Sequence, residues 1–187
     1  LGFFKVTEVA FGADLVAQRY KEIFQNPEFE PCISADCPVI VNYIAKYQPS
    51  LVSSIAPVIS PLMAMARVVR KKYGDDCKVV FIGPCVAKKV ESADVDYSLT
   101  FTELREMFQL QNIQPESAEA RSFDPPLGGQ GAILPIKRGT IQAADMEDGV
   151  LKHNILAAEG RMDTLDAIKE FKAGSIRCHL ELLSCKG

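Results

Sequence analysis

The chain has 187 residues, room for one full domain or two small lobes. Hydrophobic residues make up 48% and charged residues 24%, which excludes a disordered chain and fits one with a real core. A net charge of -3 excludes a generally basic nucleic-acid-binding surface, and no apolar run approaches the roughly 20 residues of a membrane span.

In chain order, residues 3–9 alternate toward a short strand, with Phe4, Val6 and Val9 as its apolar points. From Gly12 the spacing of Val16, Tyr20, Ile23 and Phe24 predicts one face of a helix, ended by Asn26-Pro27. Pro31 to Ser34 reads as a short buried strand. It runs into Ala35-Asp36-Cys37-Pro38, with Pro38 placed for the first turn of a helix that Gln48-Pro49 breaks. Ser60-Pro61 opens another helix, with Ser as N-cap and Pro at the first helical position, closed at Gly74. Its basic tail, Arg67, Arg70, Lys71 and Lys72, reads as a solvated helix end.

The run Lys78 to Gly83 is continuous and apolar, which predicts a central parallel strand buried on both faces, with Cys85 just past its end. Tyr97 to Thr100 is a further short strand. Thr100 and Glu103 form a capping box ahead of a helix striped by Leu104, Met107 and Phe108. Residues 114–131 are polar and rich in Pro and Gly, a long loop. Its Gly-rich stretch lacks the pattern of a phosphate loop. Residues 133–146 are expected to be helical and 155–158 a strand. Asp163 is expected to cap a helix ended by Gly174, and residues 178–184 return as a strand into Cys185. Alternation of strand and helix predicts α/β architecture with partly parallel sheets flanked by helices.

Six cysteines are too sparse for a disulfide scaffold, so reduced thiols and a cytoplasmic location are expected. Cys37, Cys85 and Cys185 share one setting: each follows a strand, and each has a Pro or Gly beside it or one residue away. Ligand sites in open α/β sheets lie beyond the carboxyl ends of strands, so three such thiols can converge on an iron–sulfur cluster. The plainer reading, buried free cysteine, suits Cys32, Cys77 and Cys178 better. His153 and His179 are isolated and read as surface or packing residues.

The stretch Gly83-Pro84-Cys85-Val86-Ala87-Lys88-Lys89-Val90-Glu91 resembles the second signature of the FeFe (iron-only) hydrogenases, Pro-Cys-x-x-Lys-x-x-Glu. Ser34-Ala35-Asp36-Cys37-Pro38 resembles the first signature, usually Thr-Ser-Cys-Cys-Pro. Glu181 to Gly187 resembles the start of the third, Glu-x-Met-Ala-Cys-x-Gly. Phe11 to Asp14, Tyr47-Gln48-Pro49, Ser60-Pro61 and Asp96 to Leu104 add supporting matches, so the resemblance covers nearly the whole chain. The chain, 1–187, is expected to be a fragment of a longer hydrogenase-like protein, cut at both ends.

The resemblance implies two α/β lobes around an H-cluster, a 4Fe–4S cubane joined through a cysteine thiolate to a two-iron subcluster, working on protons, electrons and H2. It implies Cys37 and Cys85 as cubane ligands. Cys185 would be a third, unless it is the cysteine that carries the bridge. Lys88 would donate to a cyanide ligand. The family's partners would be a ferredoxin-like electron donor or acceptor, or fused iron–sulfur and signalling domains, with neither nucleic acid nor membrane involved.

Several positions depart from the family. Asp36 stands where catalytic members carry a proton-passing cysteine, and a carboxyl can relay protons if its affinity is tuned. Ala56 stands at the next relay position, usually serine. Gly83 and Leu183 replace two methionines that pack on the cluster. Glu22 is a guess at a relay glutamate. These changes resemble the sensory members, which would read H2 or redox state. An active enzyme using Asp36 as an altered relay, and a 4Fe–4S structural or interaction module without H2 activity, remain open beside that reading.

Overall fold

A computed structural model describes residues 1–91, 94–114, 116, 118–146 and 155–186. Helix α1 (Val9–Gln25) buries Val16, Tyr20, Ile23 and Phe24, the stripe its sequence predicts, and ends where the Asn26 side chain accepts the Glu28 N–H at 2.9 Å. Helix α2 (Pro38–Tyr47) starts at Cys37 with Pro38 in its first turn, and a 3-10 turn (Pro49–Ser54) follows. Helix α3 (Pro61–Tyr73) is capped by the Ser60 hydroxyl, which accepts the Met63 N–H, and closes at Gly74 with φ 98°. It packs along α1, where Gly12 lies against the first turns of α3 and leaves no room for a Cβ.

Strands β1 (Val80–Gly83) and β2 (Tyr97–Thr100) pair in parallel, Val80 opposite Tyr97 and Gly83 opposite Thr100. The Thr100–Glu103 capping box forms in full at the head of α4 (Phe101–Leu110). A short α5 (Gly139–Ala143) precedes β3 (Ile155–Glu159), α6 (Arg161–Lys172) and β4 (His179–Leu183). β3 and β4 pair in parallel across the α6 crossover, and all five residues of β4 are buried.

A second row extends this sheet. Ile33 bridges both Leu180 and Ile55 in parallel, held by Ser34 N–H to Leu180 O (2.8 Å) and Ala56 N–H to Ile33 O (2.8 Å). Two apolar cores result. One gathers α1 with Leu134, Ile141 and Met146; the other gathers Ile33, Ile40, Ile44, Ile168, Leu180 and Leu182 around β4. The expected α/β class, with small parallel sheets flanked by helices, is what the structure has.

Five expectations are corrected. Residues 3–8 form no strand: the Val6 backbone pairs with Asp124, whose carboxylate accepts Val6 N–H and whose N–H reaches Val6 O, while Phe4 projects into solvent. Pro31 to Ser34 contributes one bridging residue, Ile33, and no full strand. β1 is half-buried and pairs with β2 alone among the described residues, so it is not a central strand. Residues 133–146 do not form one helix. A 3-10 turn (Gln130–Ile133) ends before Pro135, and the chain reverses through left-handed Arg138 (φ 64°) before α5. Finally, α6 begins at Gly160 (φ 80°), with Asp163 in the first turn, where its charge favours the helix N-terminus without capping it.

Candidate metal centre

Cys37 follows Ile33, the single residue that bridges β4 in parallel, and Cys185 follows strand β4. With Ile33 opposite Leu180, they stand four and five residues beyond the bridged pair. Cys37 is buried; Cys185 is exposed. The turn before Cys37 is tied on three sides. The Ser34 hydroxyl accepts Leu182 N–H from β4 (3.0 Å), the Tyr20 hydroxyl on α1 accepts Ala35 N–H (2.8 Å), and Lys88 Nζ donates to Asp36 O (3.4 Å). At the other strand end, Gly160 N–H reaches Leu183 O (2.9 Å) and Cys185 O (3.3 Å).

Cys85 heads a 3-10 turn (Val86–Val90) two residues past β1. That turn carries Lys88, whose ammonium is held by both Glu91 oxygens at 3.1 and 2.9 Å. The pair is poorly exposed, 18% and 8%, so it is shielded from water and salt more than a surface pair. Lys88 thus joins the Cys85 turn to the Asp36–Cys37 turn.

Asp36 is buried. Burial, then the nearby Glu181 carboxyl, pushes its proton affinity up to about 7, against the pull of Lys88 and the neighbouring Tyr20 hydroxyl. Its Oδ1 has no hydrogen-bond partner. Glu181, on β4, is likewise raised to about 7 by burial; one oxygen accepts Thr140 N–H at 3.1 Å and Oε2 has no partner. Burial thus favours the neutral, protonated form of each carboxyl, which places a proton-holding group directly before Cys37.

The structure therefore brings together Asp36, Cys37 and Lys88. It does not draw the three thiols into one ready-made ligand set: among the described residues, no group of three His, Cys, Asp or Glu side chains is placed to hold a single ion. A four-iron cubane binds each thiolate through a different iron, so it spreads its ligands over a wider cage than one ion does. Thiols are the donors such a cluster takes, and Cys85 and Cys185 lie past the ends of β1 and β4 while Cys37 lies past the bridging Ile33. Gly187 lies outside the described residues.

Other sequence expectations divide. Glu22, the guessed relay glutamate, is 65% exposed and paired with Arg19 on the solvent face of α1. Ala56 is buried and its backbone N–H serves the Ile33 bridge. Gly83 is buried under the Phe81 ring, and Leu183 packs in the β4 core. Cys32 is a packing residue. Its thiol, raised to about 11 by burial, lies 3.3 Å from His179 Nδ1, which also accepts Cys32 N–H. Cys77 and Cys178 are half-buried free thiols, and His153 lies outside the described residues. Tyr20 and Glu181 are the functional candidates the sequence reading missed. Tyr20 looked like one more member of an apolar stripe, and Glu181 looked only like a motif letter.

Beside the Cys37 turn lies a hollow of about 410 Å³ touched by Ala35, Pro38, Ala56, Ser60, Met63 and Glu91. A larger apolar hollow of about 460 Å³, between α3, β1 and α4, has none of the three cysteines in its wall.

The family model described as "Iron only hydrogenase large subunit, C-terminal domain" matches residues 1–187. The NADP-reducing hydrogenase subunit HndD of Solidesulfovibrio fructosivorans is 26% identical over 174 residues, covering 77% of this chain and 30% of that protein. The cytosolic Fe-S cluster assembly factor NAR1 homolog of Schizosaccharomyces japonicus is 29% identical over 114 residues, covering 52% of this chain and 22% of that protein. A variant of FeFe-hydrogenase HydA1 from Chlamydomonas reinhardtii superposes with a TM-score of 0.72 at 17% identity, over 99% of this chain and 68% of that one. The HydA(deltaEFG) structure gives 0.70 at 18%, with the same coverage. At such identities the structural likeness shows the fold. The chain spans less than a third of the length of these curated relatives.

Proposed function

Because this chain belongs to the family of iron-only hydrogenase C-terminal domains, those of the large subunit, we propose that it is an iron–sulfur domain holding a 4Fe–4S cluster through Cys37, Cys85 and Cys185. The observation that carries this is the meeting of the Cys85 turn with the Asp36–Cys37 turn through Lys88, at the exits of parallel strands. A bound cluster supplies one-electron redox chemistry, and with a two-iron subcluster the interconversion of protons and H2. The protein's own residues do the rest. The Lys88 ammonium, paired with Glu91, ties the Cys85 turn to the Asp36 carbonyl directly before Cys37. Asp36 holds or yields a proton at a carboxyl tuned near neutrality.

The burial of Asp36 and the apolar Ala56 favour sensing of H2 or redox state over rapid turnover. A second reading, a 4Fe–4S module without H2 chemistry, draws on the likeness to the NAR1 homolog. An electron partner of the ferredoxin kind, or fused signalling modules, fits either. The test is EPR and an H2 assay on protein co-expressed with hydrogenase maturation factors. A cubane signal with slow or no H2 evolution supports sensing or the module, and a two-iron signal separates these two. H2 evolution as fast as that of an established enzyme would overturn both.

A further inference from the structure

Tyr20 has no exposed surface, and it sits in the α1 core rather than in the row of strands that carries Cys37. Its hydroxyl nonetheless accepts Ala35 N–H at 2.8 Å, and the Asp36 carboxyl is its electrostatic neighbour. The same phenol thus holds the backbone two residues before Cys37 and neighbours the residue directly before it. The Lys88 tether reaches the Asp36 carbonyl, and Ser34 is fixed by β4, so Tyr20 is what holds Ala35 between these anchors. We infer that Tyr20 is a positioning residue for the cluster: it sets the pose of the Cys37 turn, and so the direction in which the Cys37 thiolate meets iron. The inference rests on the cluster reading above. Groups behind a metal ligand commonly change metal affinity about 10–100-fold when removed.

The experiment compares anaerobically reconstituted wild type and Tyr20→Phe by iron loss to a chelator and by the EPR spectrum of the reduced cluster. Ile23→Val, a core truncation one helical turn along α1, serves as the packing control. Tyr20→Phe is expected to lose iron about 10–100-fold faster with altered g-values, while Ile23→Val matches wild type in both. Wild-type rates and g-values in a folded Tyr20→Phe overturn the inference, and so does an equal effect in Ile23→Val. If Tyr20→Phe does not fold, 3-fluorotyrosine placed at position 20 keeps the shape and weakens the hydroxyl as the acceptor of Ala35 N–H. Unchanged g-values there overturn the inference, and shifted ones support it. A wild-type protein that takes up no iron instead sinks the cluster reading itself.

Discussion

Glu181 and Asp36 are two carboxyls whose protons the fold holds more tightly than water does. For Glu181 the folded protein binds its proton up to about pH 7, whereas the unfolded chain releases it near the ordinary value of 4.5. The stabilisation is therefore fully present below pH 4.5 and is lost as pH rises through 7. His179 acts in the opposite sense: burial lowers its proton affinity, so its contribution is present above the ordinary value of 6.5 and lost as pH falls. Glu181→Gln separates the two. Measured by urea unfolding of the cluster-free protein, wild type should lose on the order of 3 kcal/mol relative to the variant between pH 4 and pH 8. Parallel pH profiles would contradict this assignment. At the same scale, Lys88→Ala should loosen the Cys85 turn from Asp36 and leave the Glu91 carboxylate without its cation. The expected outcome is faster hydrogen exchange at residues 86–90, with little change in β4. The motif letters Asp36, Cys37 and Lys88 were legible in the sequence because each stands at a fixed place in a signature. The Tyr20 and Glu181 contacts were not, because a hydroxyl in an apolar stripe and a carboxyl inside a strand reveal their partners only once α1 and β4 are packed.

At the scale of elements, local chemistry decided what could be read. Ser60-Pro61 and Thr100-Glu103 mark helix starts by hydrogen bonds within four residues, and both formed as expected. Ser60→Ala should cost about 1 kcal/mol in chemical denaturation, since Met63 N–H loses its acceptor in a buried setting. Elements governed by distant partners were misread. Residues 3–9 have the alternation of a strand, but Asp124 takes the backbone groups of Val6. Residues 133–146 have helical apolar spacing, but Pro135 and the left-handed Arg138 break it. The Gly-rich loop reads as a plain turn, and in the structure it is a docking element: Asp14 accepts N–H bonds from Gly129 and Gly131, and Glu8 from Gly128. A Cβ at Gly131 would collide with Ala10 O and Asp14 N. Gly131→Ala should therefore destabilise the protein by roughly 1–3 kcal/mol in a denaturant titration. A stability equal to wild type would mean that the loop is not seated on α1.

At the scale of the whole molecule, two apolar cores meet along the row of parallel segments that carries Ile33, and the candidate centre sits where that row ends. No helix among the described residues is long and apolar enough to cross a membrane. The α/β class followed from alternation alone, but the size of each sheet did not. The apolar run ending at Gly83 predicts burial on both faces, whereas β1 is left half-covered over the 460 Å³ hollow. The arrangement makes the cysteines unequal. Cys85 and Cys185 follow strand ends and Cys37 follows the bridging Ile33, while Cys32 lies against His179. The most direct measurement is iron and acid-labile sulfide per chain after anaerobic reconstitution, in wild type and in Cys37→Ala, Cys85→Ala, Cys185→Ala and the control Cys77→Ala. Cubane iron and sulfide are expected in wild type and in Cys77→Ala, with a marked loss in each of the other three. No iron in wild type, or full retention in those three variants, would contradict the assignment of these cysteines as cluster ligands.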